Sequence, residues 1–377
     1  MNQFEQIYQL IQYAFNKPNT KERYQAFQLL YDHSLIFQNS TNNTISHHLL
    51  ATPFKMRLFN QEIPITGVGY VATLPEYRGG GGIRQLFDNL FQTLSLENIP
   101  VSFLAPFSQT FYRQFGYENV CQHWVYTFNK ELFAFLPKIK EGKYERQILN
   151  NAVLAKIQSI YETSLAMQNG SLQREEWWYQ YKTLKYPNNT YVVFYSHCHK
   201  DSYMIYHMDG DTFFIDELAY TTKEQLIALL NFAKSHQMTF NKFKLETANR
   251  HLEQIFTDTR LLHVESYPYM MACIHDLKSI LKICSKNMQY NNPCYIEITN
   301  SHQKGIWEIS NNNINYHASN DNLPINYSGT LQAFTPLFIG GASIHDLKFQ
   351  SEAITCYQKH PWIEQWNQPS LKLYDYF

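Results

Sequence analysis

Apolar residues recur every three or four positions between Phe4 and Phe15, and again between Tyr24 and Tyr31. This spacing is that of one face of an α-helix, so the pattern predicts two amphipathic helices at the start of the chain. From about Ile45 to Thr73 the pattern changes to extended segments separated by turn residues, which predicts strands.

A loop then separates a strand from a helix. Positions 75–82 read PEYRGGGG, which excludes regular structure there, and an apolar helical face follows from Ile83 to Leu94. The apolar run Val101–Ala105 predicts a buried strand, and residues 111–115 predict a short helix. With a last strand near Val120–Phe128, residues 1–128 form an α/β domain.

The rest of the chain divides into two further predicted domains. Residues 129–269 hold strands near 191–195, 202–208 and 212–219 and a helix through Leu226–Phe232, which repeats the element order of the first domain. The connection Tyr220–Glu224 contains no glycine, so we interpret this domain as a degenerate copy without a cofactor site. Residues 270–377 alternate helical and strand patterns and predict an α+β domain.

Composition narrows the class of protein. A chain of 377 residues is too long for a single compact core, so we expect two or three domains. Hydrophobic residues make up 44% of the chain and charged residues 17%, which indicates packed domains and argues against a disordered chain. A net charge of −1 without a run of like charges argues against nucleic acid as a partner. The start of the sequence lacks a signal-peptide pattern, and no apolar stretch is long enough to span a membrane, so we expect a cytoplasmic protein without a membrane partner.

The cysteine and histidine pattern offers one weak metal candidate. Six cysteines are scattered along the chain without a paired motif, so we expect free, buried thiols. His197-Cys198-His199 places two imidazoles on one face of a predicted strand, but no second ligand pair stands nearby in sequence. We therefore expect no metal.

The glycine-rich loop is suited to an anion. Gly79, Gly80, Gly81 and Gly82 let the backbone approach a ligand, and the following helix directs unpaired N–H groups into the same space. Arg78 and Arg84 flank the loop and add charge-assisted hydrogen bonds, so a pyrophosphate fits.

Two common phosphate motifs do not apply. Ile83-Arg84 stands where a P-loop requires Lys and then Ser or Thr. The glycines of Gly67-Val68-Gly69 match the dinucleotide fingerprint by letter, but strand residues follow them instead of a helix, so we interpret the match as coincidence.

An Arg-x-x-Gly loop after a strand, followed by an FYRxFGY segment, resembles the GNAT acetyltransferase superfamily. Segments 71–78 (VATLPEYR) and 111–118 (FYRQFGYE) resemble the enhanced intracellular survival (Eis) proteins. The resemblance extends along the whole chain and implies tandem GNAT folds, the second without cofactor, followed by a domain like sterol carrier protein. Ile83 departs from the small residue that the general superfamily loop prefers.

The resemblance implies acetyl-CoA as co-substrate. Val71, Ala72 and Thr73 would pair with the pantetheine and hold the acetyl carbonyl. Gly79, Gly80, Gly81, Gly82, Ile83 and Arg84 would contact the pyrophosphate, and Phe107 and Ser108 would make a further contact; for Phe107, simple packing is an equal alternative.

The same resemblance suggests the catalytic pair. Tyr112 is the candidate general acid, because a phenol of pKa near 10 is closely matched to a thiol of pKa near 8.5. In Eis-like proteins the carboxylate of a terminal Phe folds back and accepts the proton of the amine; this chain ends at Phe377. Tyr117 is expected to pack.

The acceptor stays open. Polyamine-like or aminoglycoside-like primary amines are suggested by the broad acidic cleft of the family, to which Asp375 could contribute. A protein or peptide lysine is an alternative acceptor, and a non-catalytic acyl-CoA-binding or lipid-binding protein is an alternative function. The family also suggests a homo-oligomer, at most a hexamer.

Overall fold

The computed structural model of the chain describes residues 2–139, 141–286, 290, 292–310, 313–319, 321–350, 353–366 and 370–377. Contacts group the chain into two compact units. One unit combines Met1–Asn19, Leu30–Cys121 and Pro268–Phe377, and the other combines Thr20–Leu29 and Gln122–Tyr267. The division into domains 1–128, 129–269 and 270–377 stays a prediction.

The N-terminal part has the predicted order of elements. Its helices and strands are α1 (Gln3–Phe15), α2 (Lys21–Asp32), β1 (Leu35–Thr41), β2 (Thr44–Leu58), β3 (Gln61–Thr73), α3 (Gly82–Leu96), β4 (Val101–Leu104), α4 (Gln109–Arg113) and β5 (Glu118–Asn129). The two initial helices, the strands before the loop and the helix after it are confirmed. Strand β1 was not predicted, and a 3-10 turn, Pro75–Tyr77, lies inside the stretch for which regular structure was excluded.

Strands β1, β2 and β3 pair antiparallel in sequence order, and β3 then pairs parallel with β4. One face of this sheet packs on α3, where Leu86, Phe87, Leu90 and Leu94 are all buried against it. Full burial of such a side chain stabilises the fold by roughly 1.5–3 kcal/mol. The helix after the loop is thereby fixed to the sheet along its length.

The middle of the chain contains more elements than its pattern predicts. They are β6 (Lys143–Ile148), α5 (Leu154–Thr163), α6 (Glu176–Lys185), β7 (Tyr191–His197), β8 (Lys200–Asp209), β9 (Thr212–Ala219), α7 (Lys223–Lys234), β10 (Lys242–Thr247) and β11 (Leu262–Ile274). In the second unit the strand order is β5-β10-β9-β8-β7-β6, with β9 and β10 parallel. The three predicted strands and the helix after them are confirmed.

The predicted pair of imidazoles on a strand is wrong. Strand β7 ends at His197, and Cys198 and His199 have φ of 50° and 59°, the left-handed conformation of a tight hairpin turn. Within the described residues, no group of three His, Cys, Asp or Glu side chains is arranged to hold a metal ion. All six cysteines are free; Cys121, Cys273, Cys284 and Cys294 are buried as expected, whereas Cys198 is exposed and Cys356 only partly buried.

The C-terminal part forms a small separate sheet with helices. Its elements are α8 (Leu277–Ser285), β12 (Cys294–Ile298), β13 (Gly305–Ser310), β14 (Asn313–His317), β15 (Tyr327–Gly329), α9 (Leu331–Ile339), α10 (Ile344–Gln350), β16 (Ile354–Cys356) and α11 (Pro361–Glu364). The strand order is β14-β13-β12-β15-β16, an α+β arrangement as predicted.

No helix in the described part of the chain combines the length and the apolar character that crossing a lipid bilayer requires.

Candidate active site

A groove opens where β3 and β4 separate. Their parallel pairing ends at Val68 and Leu104, while β3 continues to Thr73. A bulge lies in this extension: His48 of β2 is opposite Ala72, but Leu50 is opposite Gly69, so β3 has one additional residue. Beyond Val68, the β3 backbone is therefore not paired with β4. The predicted residues Val71, Ala72 and Thr73 lie on this extension, which pairs with β2 but not with β4.

The glycine loop and the start of α3 lie at the end of the groove. Gly79 and Gly81 have φ of 82° and 78°, which a residue with a Cβ rarely adopts, and Gly81 is the N-cap of α3. No side chain caps α3, and its first turn contains no acidic residue. The first N–H groups of the helix, together with exposed Arg78 and Arg84, therefore present positive potential.

His47 supports this loop from below. Its ring Nδ1 lies 2.9 Å from the Ser46 hydroxyl, and its Nε2 lies 3.2 Å from the Tyr77 carbonyl. A Cβ at Gly82 would overlap the His47 ring, so only glycine fits there. Asn39 adds an amide hydrogen bond of 3.3 Å to the Gly82 carbonyl. The loop is thus held to β1 and β2. The sequence did not reveal these contacts, because they depend on the register of the two strands.

A cavity of about 730 Å³ joins most of the predicted cofactor residues. It is lined by Ala14, Phe15, His47, Val71, Ala72, Thr73, Tyr77, Arg78, Gly79, Gly81, Gly82, Ile83, Arg84, Phe107, Phe111, Gln114 and Phe115. Of the predicted cofactor residues, Gly80 and Ser108 are not in the lining, and the predicted catalytic residues Tyr112 and Phe377 are not in it either. The Ser108 hydroxyl caps α4 by accepting a hydrogen bond from the Phe111 N–H, and Phe107 is 74% exposed.

Tyr112 is buried on α4 among aromatic rings, including Phe87, Phe107 and Tyr117. Burial raises the pKa of Tyr112 well above that of a free phenol, and nearby Tyr376 raises it further. The phenol is therefore protonated at neutral pH, as a general acid must be. Its pKa is not closely matched to that of a free thiol, contrary to our expectation.

The C-terminus lies on strand β3. The Phe377 side chain is buried, its ring stacks on Phe54 of β2 at 5.4 Å between centroids, and its carboxyl carbon faces Gly69. Asp375, which we suggested could contribute to an acidic cleft, is fully buried. The last residues of the chain thus pack into the N-terminal sheet.

Tyr117 packs as expected, and it also joins a buried polar chain. Its hydroxyl lies 2.7 Å from the Ser102 hydroxyl, which lies 2.8 Å from the His275 Nε2. Burial lowers the pKa of His275 to about 3, with His302 contributing, so its ring is neutral. This series of hydrogen bonds connects β4 to the segment before α8, and its residues do not line the groove.

The corresponding helix of the second unit has a closed N-terminus. Thr222 caps α7 and accepts a hydrogen bond from the Gln225 N–H, while the Gln225 side chain accepts from the Thr221 and Thr222 N–H groups. In this capping box, Thr222 satisfies the Gln225 N–H in the first turn of α7, whereas no N-cap side chain does so in α3. The first turn of α7 is therefore less open to an anion than that of α3.

Comparisons with known domain families agree with this fold. A model described as an acetyltransferase (GNAT) domain matches residues 1–120, and a second model with the same description matches residues 170–281. The chain therefore contains two GNAT domains in tandem, and the class that these domains define is that of GNAT acetyltransferases.

Solved structures match over nearly the whole length. A protein of Enterococcus faecalis V583, described as a probable N-acyltransferase, is 27% identical, with 99% of this chain and 97% of that chain covered and a TM-score of 0.87. Eis1 from Mycobacterium abscessus is 16% identical, with the same coverage and a TM-score of 0.79. A GCN5-related N-acetyltransferase from Anabaena variabilis is 16% identical, again with 99% and 97% covered, with a TM-score of 0.83.

At 16% identity, the last two likenesses show the fold alone. No curated protein sequence matches the chain.

Proposed function

We propose that the first GNAT domain transfers an acetyl group from acetyl-CoA to a primary amine of a polyamine-like or aminoglycoside-like small molecule. The uncapped N-terminus of α3 beside Arg78 and Arg84 carries this proposal, because it supplies N–H donors and positive charge for a diphosphate. The cavity along Val71, Ala72 and Thr73 has room for the thioester end of the same molecule.

The reaction requires two proton transfers. The amine nitrogen forms a bond with the thioester carbonyl carbon, and the carbon–sulfur bond breaks. Tyr112 donates its phenolic proton to the departing sulfur. The buried phenol has a high pKa, but a thiolate that forms beside it, out of contact with water, also gains proton affinity, which offsets part of the mismatch.

The Phe377 carboxylate is the proposed acceptor of the amine proton. An α-carboxylate is a weak base, near pKa 3.5, but the nitrogen becomes strongly acidic once its bond to the carbonyl carbon forms. The position of the terminal residue on β3, two residues from the start of the segment Val71–Thr73, supports this role.

The α7 capping box supports a single active domain per chain. The likeness of residues 270–377 to sterol carrier protein, the homo-oligomeric state and the cytoplasmic location stay predictions.

A thiol-release assay with acetyl-CoA tests the proposal. A polyamine, an aminoglycoside and lysine peptides serve as acceptors for three proteins: the full chain, a chain lacking Phe377, and a chain with one alanine added after Phe377. The added alanine keeps the ring but displaces the carboxylate, so both altered chains should lose about 100-fold in kcat.

The acceptor panel separates the alternatives. Turnover with lysine peptides alone would exclude the small-molecule acceptor. If none of the tested amines supported thiol release, the acetyltransferase role would be excluded. Full activity of the chain lacking Phe377 would remove the carboxylate from the mechanism.

A further inference from the structure

Two glycines of β3 are in contact with the last residue of the chain. A Cβ atom placed on Gly67 would lie 2.5 Å from Cδ2 and 2.7 Å from Cγ of the Phe377 ring. A Cβ atom on Gly69 would lie 3.1 Å from the Phe377 carboxyl carbon and 3.5 Å from its oxygen. The ring therefore occupies the space of a side chain at Gly67, and the carboxyl group borders the same space at Gly69.

Neither Gly67 nor Gly69 has a positive φ, although Gly69 borders the bulge of β3. Lack of space requires glycine at Gly67, and the contact at Gly69 is tight but less severe. Glycine weakens a strand interior, because it adds no side-chain packing and loses much entropy on folding. The pair is explained by the aromatic ring and carboxyl group that lie on it.

The strand register shows that the terminal residue lies on one defined face. Leu50 is opposite Gly69, Thr52 is opposite Gly67, and Phe54 is two residues further along the same face of β2. Phe54 stacks on the Phe377 ring. The opposite face belongs to the core with α3. Gly67, Gly69 and Phe54 thus form one pocket for the C-terminus, which we call the terminal-Phe seat.

The terminal-Phe seat lies next to the groove along strand β3. Gly69 precedes Val71 by two residues, with the bulge of β3 between Gly69 and Ala72. Because a strand rises about 3.3 Å per residue, the carboxyl group lies at most roughly 7 Å along β3 from the segment Val71–Thr73. The contact of the ring with Gly67 determines where Phe377 lies along β3, and the contact with Gly69 determines how closely the carboxyl group approaches the strand.

We propose that Gly67 and Gly69 are positioning residues that place the Phe377 carboxylate beside the acyl groove by leaving room for the terminal ring and carboxyl group. The inference rests on the proposed role of this carboxylate in catalysis. It also assigns a role to the Gly-x-Gly match on β3, which is not a dinucleotide motif.

The first test measures docking without catalysis. Carboxypeptidase A, which removes C-terminal aromatic residues, is applied to the folded full-length protein, and Phe377 release is followed by mass spectrometry. Because an added methyl at Gly67 forces the ring out of a packed site, Gly67→Ala should release Phe377 about tenfold faster than the natural chain. Gly69→Ala, with its longer contact, should have a smaller effect.

Ile63→Val is the matched control for mild damage to β3. Ile63 is buried on the same strand but lies about 13 Å from Gly67, four residues away. Release from this variant should match that of the natural chain. If Phe377 were released at the same rate from Gly67→Ala and from the natural chain, the proposal of a terminal-Phe seat would be wrong.

A double-variant cycle tests whether the glycine acts through the ring. Gly67→Ala should lower kcat about tenfold and leave the KM for acetyl-CoA nearly unchanged. In a Phe377→Ala background, which has no ring to displace, the same glycine change should have little further effect on kcat or on melting temperature. Equal losses in both backgrounds would contradict the inference.

The two readouts separate the seat from the proposed function. If the chain lacking Phe377 is fully active, the carboxylate role fails, yet the protease and melting measurements still report on the seat. If protease release and melting show no coupling between Gly67 and Phe377, the seat fails, whatever the role of the carboxylate.

Discussion

Individual glycines at the site meet two different physical requirements. Gly79 and Gly81 are required by backbone conformation, since their φ values are positive and open space surrounds them. Gly82 and Gly67 are required by space, since the His47 ring and the Phe377 ring occupy the positions of their missing side chains. A row of glycines in a sequence does not distinguish these requirements.

Replacing Tyr112 by phenylalanine removes the proposed acid and keeps the ring. The kcat for acetyl transfer should fall about 100-fold or more, since general acid catalysis contributes that much, while the KM for acetyl-CoA should change little. Steady-state thiol release with the best amine acceptor measures both parameters.

Tyr117→Phe is the matched control for this change. It removes the hydroxyl bonded to Ser102, so it should lower the melting temperature but leave kcat within about twofold. If Tyr112→Phe behaves like Tyr117→Phe, Tyr112 is not the acid.

Among the elements, the two corresponding helices α3 and α7 differ in how their first N–H groups are used. In α3 the N-cap residue is Gly81, which offers no side-chain acceptor, whereas in α7 the N-cap Thr222 accepts from the Gln225 N–H and the Gln225 side chain accepts from the Thr222 N–H. The same fold therefore leaves the first turn of α3 more open to an anion than that of α7. The sequence allowed this distinction, because four glycines lie at the start of one helix and none at the start of the other.

A buried ion cluster stabilises the second unit. Glu217 accepts two hydrogen bonds from Arg174, of 3.0 and 2.7 Å, and one each from Lys182 and Tyr203, of 2.7 and 2.6 Å. Glu217→Gln leaves the buried Arg174 without its carboxylate, so unfolding free energy should fall by about 3–5 kcal/mol. Urea unfolding followed by circular dichroism measures this loss.

Glu145→Gln is the control for this cluster. Glu145 pairs with Lys156 at 2.5 Å, but the two side chains are 54% and 37% exposed, so the loss should stay below about 1 kcal/mol. A loss of similar size in both variants would show that Glu217 stabilises the fold no more than a surface pair does.

Periodicity predicted elements whose apolar face is strong, and it missed others. Helix α3 and strand β9 were recognisable, whereas β6, with exposed residues at nearly every position, has no apolar alternation to reveal it. The groove residue His47 could not be identified, because its contact with Gly82 depends on strand register. The position of Phe377 came from resemblance, since a contact between residues more than 300 positions apart has no local signal.

For the chain as a whole, the residues at its end belong to the same compact unit as the N-terminal sheet. The terminal Phe and the N-terminal sheet β1–β4 therefore lie in one compact body. We expect acid to destabilise this compact body by protonating two buried histidines. Burial lowers the pKa of His48 to about 4 and that of His275 to about 3.

Both histidines bind a proton more readily in the unfolded chain, where their pKa is about 6.5. Stability should therefore be full at pH 7 and decrease as the pH falls below about 6.5. At pH 5 the loss is about 2 kcal/mol for each histidine. Urea unfolding at pH 7 and pH 5 measures it, and His48→Leu should flatten part of the dependence. Equal stability at both pH values would contradict the assigned burial.

The central claim is that one diphosphate site, at the N-terminus of α3, serves the whole chain. Isothermal titration of the full chain with coenzyme A tests it most directly. We expect saturable heat with one equivalent bound per chain, since α7 is capped by its own side chains. Absence of heat would remove the cofactor site, and two equivalents per chain would show that the second domain binds the coenzyme as well.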